Sequence, residues 1–522
     1  MIKELKIEEL TVEQKIGQLI VARHCIDKED AQFVLDMIKK KAVGGVQFDF
    51  RDDYKEFMEK VKETAEYPIL ICADMETGYP GGEHTIPYAM GIASSGDPKS
   101  AYDLGRVIAI EAKKTGANCF WGPVADLAAE GAQCKIARCF SDDPEMVSEY
   151  TIQMIRGFQS EGMVTTMKHF PGGSDVLSDT HLMTEASSYE IEQLLKKDII
   201  PYVRAMKEAD LAGIMTGHVL FPKIDNKYIT SLSKKVIDII REYGFDGLIV
   251  TDSLAMMAIV NNYGEGDSLG LAILAGNDMV LPNYRLGYKK SYEYLYNAYK
   301  KGIITEERLD DAVKRVLKAQ SRTMKKASME DVSEELHNKV IEAHKNSVVA
   351  ILKDGYEAKL DENTKKLFVF LCENAYPGID GTSPEFESIA YYLKEHVEEN
   401  KEKVLKEFPN SDALIISEFP HKLEMSKVCI EAQKYDEVIF YLFCRSSSYL
   451  GSDGITERVE TLIKANLNKT SAVIHIGNPY EIRKFKDAVR IINAPYGKDA
   501  DEWILKALKG EFIPSGKLPI KL

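Results

Sequence analysis

The chain has 522 residues, 45% hydrophobic and 29% charged, with a formal net charge of −15. That length exceeds one typical domain and suits two or three, each able to bury a core of its own. The acidic balance counts against nucleic acid or an anionic membrane as a main partner, since both favour basic surfaces.

The opening stretch, MIKELKIEELTVEQKIGQLI, has no apolar h-region and no small-residue cleavage site, so no secretory signal is expected there. No run reaches the apolar length of a membrane span. Eight cysteines stand at 25, 72, 119, 134, 139, 372, 429 and 444. Nothing near the closest pair, Cys134 and Cys139, completes a zinc set, so the reading is reduced thiols in a cytoplasmic protein, with no metal and no cofactor.

Short apolar runs then alternate with amphipathic helical stretches. The strand candidates are GQLIVAR (17–23), VGGVQF (43–48), PILICAD (68–74), CFWGPVAD (119–126), MVTTMKHF (163–170), AGIMTGHV (212–219), GLIVTDS (247–253) and DMVLPN (278–283). Eight strands alternating with helices predict a (β/α)8 barrel of the TIM type. Active sites of that fold lie at the C-terminal strand ends. Those ends carry Asp74, Asp126, Lys168, His169, His218 and Asp252. The strand period of two puts Leu70, Cys72 and Asp74 on one face, and likewise Leu248, Val250 and Asp252. Each face is an apolar stripe that ends in a carboxylate, and burying such a charge unpaired is costly. The rim therefore reads as a site.

Past a Lys/Glu-rich helical stretch the alternation restarts with VVAILKDG, KLFVFLCEN, DALIISEF, EVIFYLFCR, SAVIHIGN and AVRIINAPYG. This predicts a C-terminal α/β sandwich domain. The expected division is a catalytic barrel over 1–325, a helical linker over 326–345 and the second domain over 346–522. No phosphate-cradling glycine pattern follows its strands, so no nucleotide is expected.

Two places on the rim carry chemistry by residue type. On the loop KHFPGGSDVLSDTH (168–181), Asp179 and His181 stand two residues apart, and such a carboxylate can orient an imidazole that moves protons. Asp252, in IVTDSLAMMAI, can stay ionised at a buried strand end if donors and cations surround it. It is then a nucleophile, a metal ligand or a structural carboxylate. Lys168, Arg138 and the loop histidines are its candidate partners. His218 reads equally as a core histidine or a ligand, Glu76 as an acceptor of turn amides, and Tyr263 and Trp121 as space-filling or sugar-stacking rings.

Several of these motifs together resemble glycoside hydrolase family 3, in particular its β-N-acetylglucosaminidase branch. KHFPG at 168–172 with Asp179-Thr180-His181 is similar to that branch's K-H-F-P-G-H-G…D-S-H segment, and VTDSLAM at 250–256 to its nucleophile strand. ADMETG at 73–78 resembles its D-x-E-G-G turn, and IARCFSDDP at 136–144 its I-G-x-R-x-F-x-x-D-P stretch. AGIMTGHVLF, LAGNDMVLP and the closing IPSGKLPIKL fit as well, so the resemblance covers almost the whole chain. It implies Asp252 as nucleophile, Asp179 and His181 as the acid/base dyad, and Asp74, Arg138, Lys168 and His169 as contacts to the sugar. His218 is carried as a further substrate contact.

Two departures stand out. Gly173-Ser174 replaces the family's H-G, and Gly82 holds the place of an arginine that contacts the sugar. The implied activity is a cytoplasmic retaining exo-β-N-acetylglucosaminidase acting on a small GlcNAc-containing glycoside, as in peptidoglycan recycling. Alternatives are a β-N-acetylglucosaminide phosphorylase, a β-glucosidase of the same family and a non-catalytic carbohydrate-binding relative. A homodimer stays open.

Overall fold

The computed structural model describes residues 2–23, 27–48, 52–264, 266–324, 331–372, 384–444, 448–449, 451–452, 454–495 and 499–522. Cys25 and positions 326–330 of the expected linker lie outside them. The chain packs as two compact units. Met1–Ile86, Asp97–Ala132 and Arg138–Val340 make the first, and Pro87–Gly96, Gln133–Ala137 and Ile341–Leu522 the second.

In the first unit, eight parallel strands follow one another in sequence order: β1 (Val21–Ala22), β2 (Gly45–Gln47), β3 (Leu70–Ala73), β4 (Cys119–Phe120), β5 (Val164–Phe170), β6 (Gly213–Thr216), β7 (Leu248–Ser253) and β8 (Met279–Leu281). An Ile20–Val280 bridge and a 2.9 Å bond from Val280 N–H to Leu19 O join β8 back to β1 and close the ring. The (β/α)8 barrel is thus the one the alternation predicts. The apolar stripes read from the sequence line its interior, where Leu70, Cys72, Leu248 and Val250 pack with Val21, Trp121 and Met279. Trp121 fills space there, and its Nε1–H donates to Gln47 Oε1 at 2.7 Å. The expected strand CFWGPVAD shrinks to two residues because Pro123 brings no N–H to the ladder.

The N-terminal end of the barrel is held by charge. Asp278, fully buried just before β8, accepts from Arg241 Nη2 and Arg308 Nη2, both at 2.7 Å, and from the Ile249 N–H at 2.9 Å.

The second unit is built on a six-stranded sheet. Its strands are β9 (Val349–Leu352), β10 (Lys366–Cys372), β11 (Ser411–Ser417), β12 (Glu437–Phe443), β13 (Thr470–Ile476) and β14 (Arg490–Ala494). They lie in the order β11-β10-β12-β13-β14-β9, all parallel except β9, which runs antiparallel to β14. All six coincide with the apolar runs of the sequence. Both faces are covered: Phe368 and Phe370 enter one core while Leu367, Val369 and Leu371 enter the other. Such two-sided burial explains why these strands read as continuous apolar runs. Among the described residues no helix is long and apolar enough to cross a membrane.

Asp278→Ala leaves Arg241 and Arg308 without this buried carboxylate. We expect it to lower barrel stability by about 3–5 kcal/mol, read by urea denaturation.

Candidate active site

Strand β7 ends at Asp252 and Ser253, where the barrel interior opens. The Asp252 side chain is one-fifth exposed, its Oδ1 accepts from the Ser253 N–H at 2.6 Å, and its Oδ2 lies 3.8 Å from His169 Nε2. Burial pushes its carboxyl up, but the facing imidazoles His169, His218 and His181 outweigh burial and hold it well below the usual carboxylate range. Asp252 is ionised throughout the neutral range.

Each imidazole has its own holder. Val124 bridges to Lys168, and the Ala125 N–H donates to Lys168 O at 2.6 Å, which brings Asp126 beside β5. Asp126 Oδ2 accepts the Nδ1 proton of His169 at 2.6 Å, so Nε2 faces Asp252. His218, at the end of β6, is buried with both ring nitrogens engaged inside the protein. Nε2 donates to Ser253 O at 3.0 Å, and Nδ1 meets Ser231 Oγ at 2.9 Å. Burial pushes its pKa down. In this arrangement His218 steadies the strand end that carries the nucleophile candidate, and any contact with substrate needs one of those bonds broken.

The opposite wall is an ion network. Lys168 Nζ lies 2.8 Å from Asp74 Oδ1 and 2.8 Å from Glu76 Oε1. Arg138 binds Glu76 through two parallel bonds of 2.7 Å, from Nε and Nη2. Burial pushes Glu76 up, but Arg138 and Lys168 overcome it and hold the carboxyl far below its ordinary range. Burial likewise pulls Lys168 down, yet Asp74 and Glu76 raise it on balance. Glu76 therefore anchors two cations, and the expectation that it serves turn amides is corrected. The guanidinium fork and the Lys168 ammonium together occupy both carboxylate oxygens. Asp74 is the solvent-facing member, with its side chain 59% exposed.

The loop that follows β5 holds the dyad. Asp179 is buried, and its Oδ1 accepts from the His181 N–H at 2.9 Å and from His181 Nδ1 at 2.7 Å. Nδ1 is thereby engaged, and Nε2 points away from the Asp179 carboxylate. Met257 N–H donates to His181 O at 3.3 Å and Ala258 N–H to Thr180 O at 3.4 Å, tying the loop to the segment just past Asp252. The Gly173-Ser174 departure also has a physical account. Both backbone N–H groups donate to Asp198 Oδ1, at 3.0 and 2.9 Å, and Ser174 Oγ lies 3.3 Å from Oδ2. Gly173, with φ of +116°, allows that turn.

The family model for the N-terminal domain of glycosyl hydrolase family 3 matches residues 11–319. The chain belongs to glycoside hydrolase family 3.

A β-hexosaminidase of Stenotrophomonas maltophilia is 30% identical over 262 residues, covering 47% of this chain and 78% of that protein. One of Nitrosomonas eutropha is 36% identical over 226 residues, covering 41% and 64%. Among solved structures, a family 3 β-N-acetylglucosaminidase from a Paenibacillus species superposes with a TM-score of 0.79 at 25% identity, covering 98% of this chain and 99% of that one. A β-glucoside phosphorylase superposes at 0.80 with 23% identity, covering 98% and 95%, a likeness of fold.

Pattern reading of this family 3 enzyme missed Arg23. Its Nη1–H donates to Ser253 Oγ at 2.6 Å, and its buried Nε has no partner among the described residues. Arg23 closes the run GQLIVAR, so the strand-end rule applied to every strand would have found it. Asp198 had no such signal, because only the folded loop brings it to Gly173. Tyr263 is occupied structurally, its hydroxyl accepting from the Ile229 N–H at 3.2 Å.

Glu76→Gln leaves Arg138 and Lys168 short of a charge, and we expect a loss of about 3 kcal/mol at pH 7. A carboxyl depressed in the fold stabilises above its unfolded pKa of about 4.3 and loses that contribution as pH falls further. The Tm gap to wild type therefore narrows progressively below about pH 4, which a melting series checks.

Proposed function

We propose that this enzyme is a retaining, exo-acting β-N-acetylglucosaminidase that removes terminal β-linked GlcNAc from cell-wall-derived or related amino-sugar glycosides. The observation that carries the reading is the Asp179–His181 pair, bonded through Nδ1 and tied to the segment after Asp252. The name of the Paenibacillus structure supports the same sugar, and the names of the curated relatives support a β-linked hexosamine.

In the first step the Asp252 carboxylate attacks the anomeric carbon while the imidazolium of His181 gives its Nε2 proton to the departing oxygen. A glycosyl ester forms. In the second step Nε2 takes a proton from water, which attacks the same carbon and frees Asp252, so two inversions retain the configuration. Asp179 accepts a hydrogen bond from Nδ1–H in both steps and so fixes the ring. Asp74, Lys168 and His169 meet the sugar hydroxyls, and Arg138 acts with them by holding Glu76.

A second reading, phosphorolysis, draws on Arg23. Among the described residues its guanidinium has no carboxylate partner, and it stands beside the residue that follows Asp252. With an imidazole where a carboxylate acid/base would otherwise stand, incoming phosphate meets less repulsion.

One assay series tests both readings: aryl β-GlcNAc, β-GalNAc and β-Glc, with and without inorganic phosphate. The hydrolase reading expects release of free GlcNAc at a rate indifferent to phosphate, and no turnover of any substrate contradicts it. Phosphate acceleration that yields a sugar 1-phosphate, and that Arg23→Ala abolishes, establishes the second reading instead. Asp252→Ala is expected to leave almost no activity. His181→Ala should lose about 10²–10⁴-fold in kcat/KM, and least with the best leaving groups.

A further inference from the structure

The loop after β3 carries a second cluster of ionisable groups, distinct from the rim. The helix Lys99–Thr115 presents Glu111, a carboxylate only 6% exposed, to residues 82–84. Glu111 Oε1 accepts from the backbone N–H of Glu83 at 3.0 Å and of His84 at 3.2 Å, and from His84 Nδ1 at 2.7 Å. A carboxylate only accepts, so the proton sits on Nδ1 and the Nε2 lone pair points away from Glu111. What Nε2 faces is a second imidazole: His337 Nδ1, 3.0 Å distant, on the first turn of the helix Glu334–Ser347. The rings meet edge to face at 69°. Glu83, His84 and Glu111 each offer a ligand atom within 4.8 Å of the others.

From this geometry we propose a divalent transition-metal site, with zinc as the expected ion, held by His84 Nε2, His337 Nδ1 and the Glu83 carboxylate, with water as the fourth ligand. Two nitrogens bound to zinc at about 2.0–2.1 Å in a tetrahedron stand about 3.3 Å apart, so the imidazoles need little movement once His337, which donates its Nδ1 proton to His84 Nε2 here, carries that proton on Nε2 instead. Glu111 is the outer carboxylate that metal-bound histidines commonly require: it fixes the tautomer and raises the basicity of the ligand nitrogen. Among the described residues its buried Oε2 has no hydrogen-bond partner.

Imidazole and carboxylate together suit zinc rather than calcium or magnesium.

The site also accounts for Gly82. A Cβ there would stand 2.2 Å from Glu111 Oε2, so an arginine at this position and Glu111 in this pose exclude each other. The metal would fasten the Glu76-bearing loop to the helix Glu334–Ser347, a structural role in which no ligand takes part in sugar chemistry.

The test uses untagged, chelator-stripped, full-length protein and zinc titrated against a chromophoric chelator. The expected result is one zinc bound with a Kd below about 1 µM and a rise in Tm on binding. His337 is exposed, so His337→Ala should fold normally and keep its basal glycosidase activity. It should weaken zinc by more than about 100-fold and lose the rise in Tm, while Glu111→Gln weakens zinc by about 10–100-fold. Absence of zinc binding to the wild type at about 100 µM overturns the proposal, as does a His337→Ala variant that binds zinc as tightly as the wild type.

Discussion

A carboxylate at the end of a barrel strand loses most of its hydration, and it stays ionised only where the protein replaces that water. Asp252 is such a group. Its replacement solvent is a ring of imidazoles, each oriented by a partner of its own: Asp126 for His169, Ser231 and Ser253 O for His218, Asp179 for His181. Much of the barrel rim can be understood as the scaffolding for this one buried negative charge.

The same principle with reversed sign organises the facing wall. Lys168 is buried as deeply as a core residue and tolerates that position through Asp74 and Glu76. Glu76 in turn is fixed by the fork of Arg138. The Asp74 carboxylate and the Lys168 ammonium are thus held in place at the ends of β3 and β5 before any ligand arrives, so binding energy need not be spent on ordering them. The two ends of the barrel divide their duties in the usual way for this architecture, with Asp278 and its arginines securing the N-terminal face.

What was legible in the sequence follows from what periodicity encodes. Strands buried on both faces, such as β10 and β12, announce themselves as apolar runs, and the stripes ending in Asp74 and Asp252 mark the rim because a strand's period of two is unambiguous. Roles that depend on long-range partners were not legible. Glu76 reads as a turn residue until the fold brings Arg138 to it from sixty-two positions away. Asp198 reaches the Gly173-Ser174 turn from twenty-five positions along the chain. The pairing of His84 with His337 spans 253 positions, and no local pattern encodes it.

The account depends most on Asp252 forming a covalent bond to the sugar while His181 stands across from it. Trapping with a 5-fluoro β-GlcNAc donor bearing a fluoride leaving group, followed by intact mass and peptide mapping, tests this directly. The account predicts one glycosyl adduct per chain, on the peptide containing Asp252. An adduct on any other residue, or turnover of the donor with no adduct in the wild type or in His181→Ala, would contradict it.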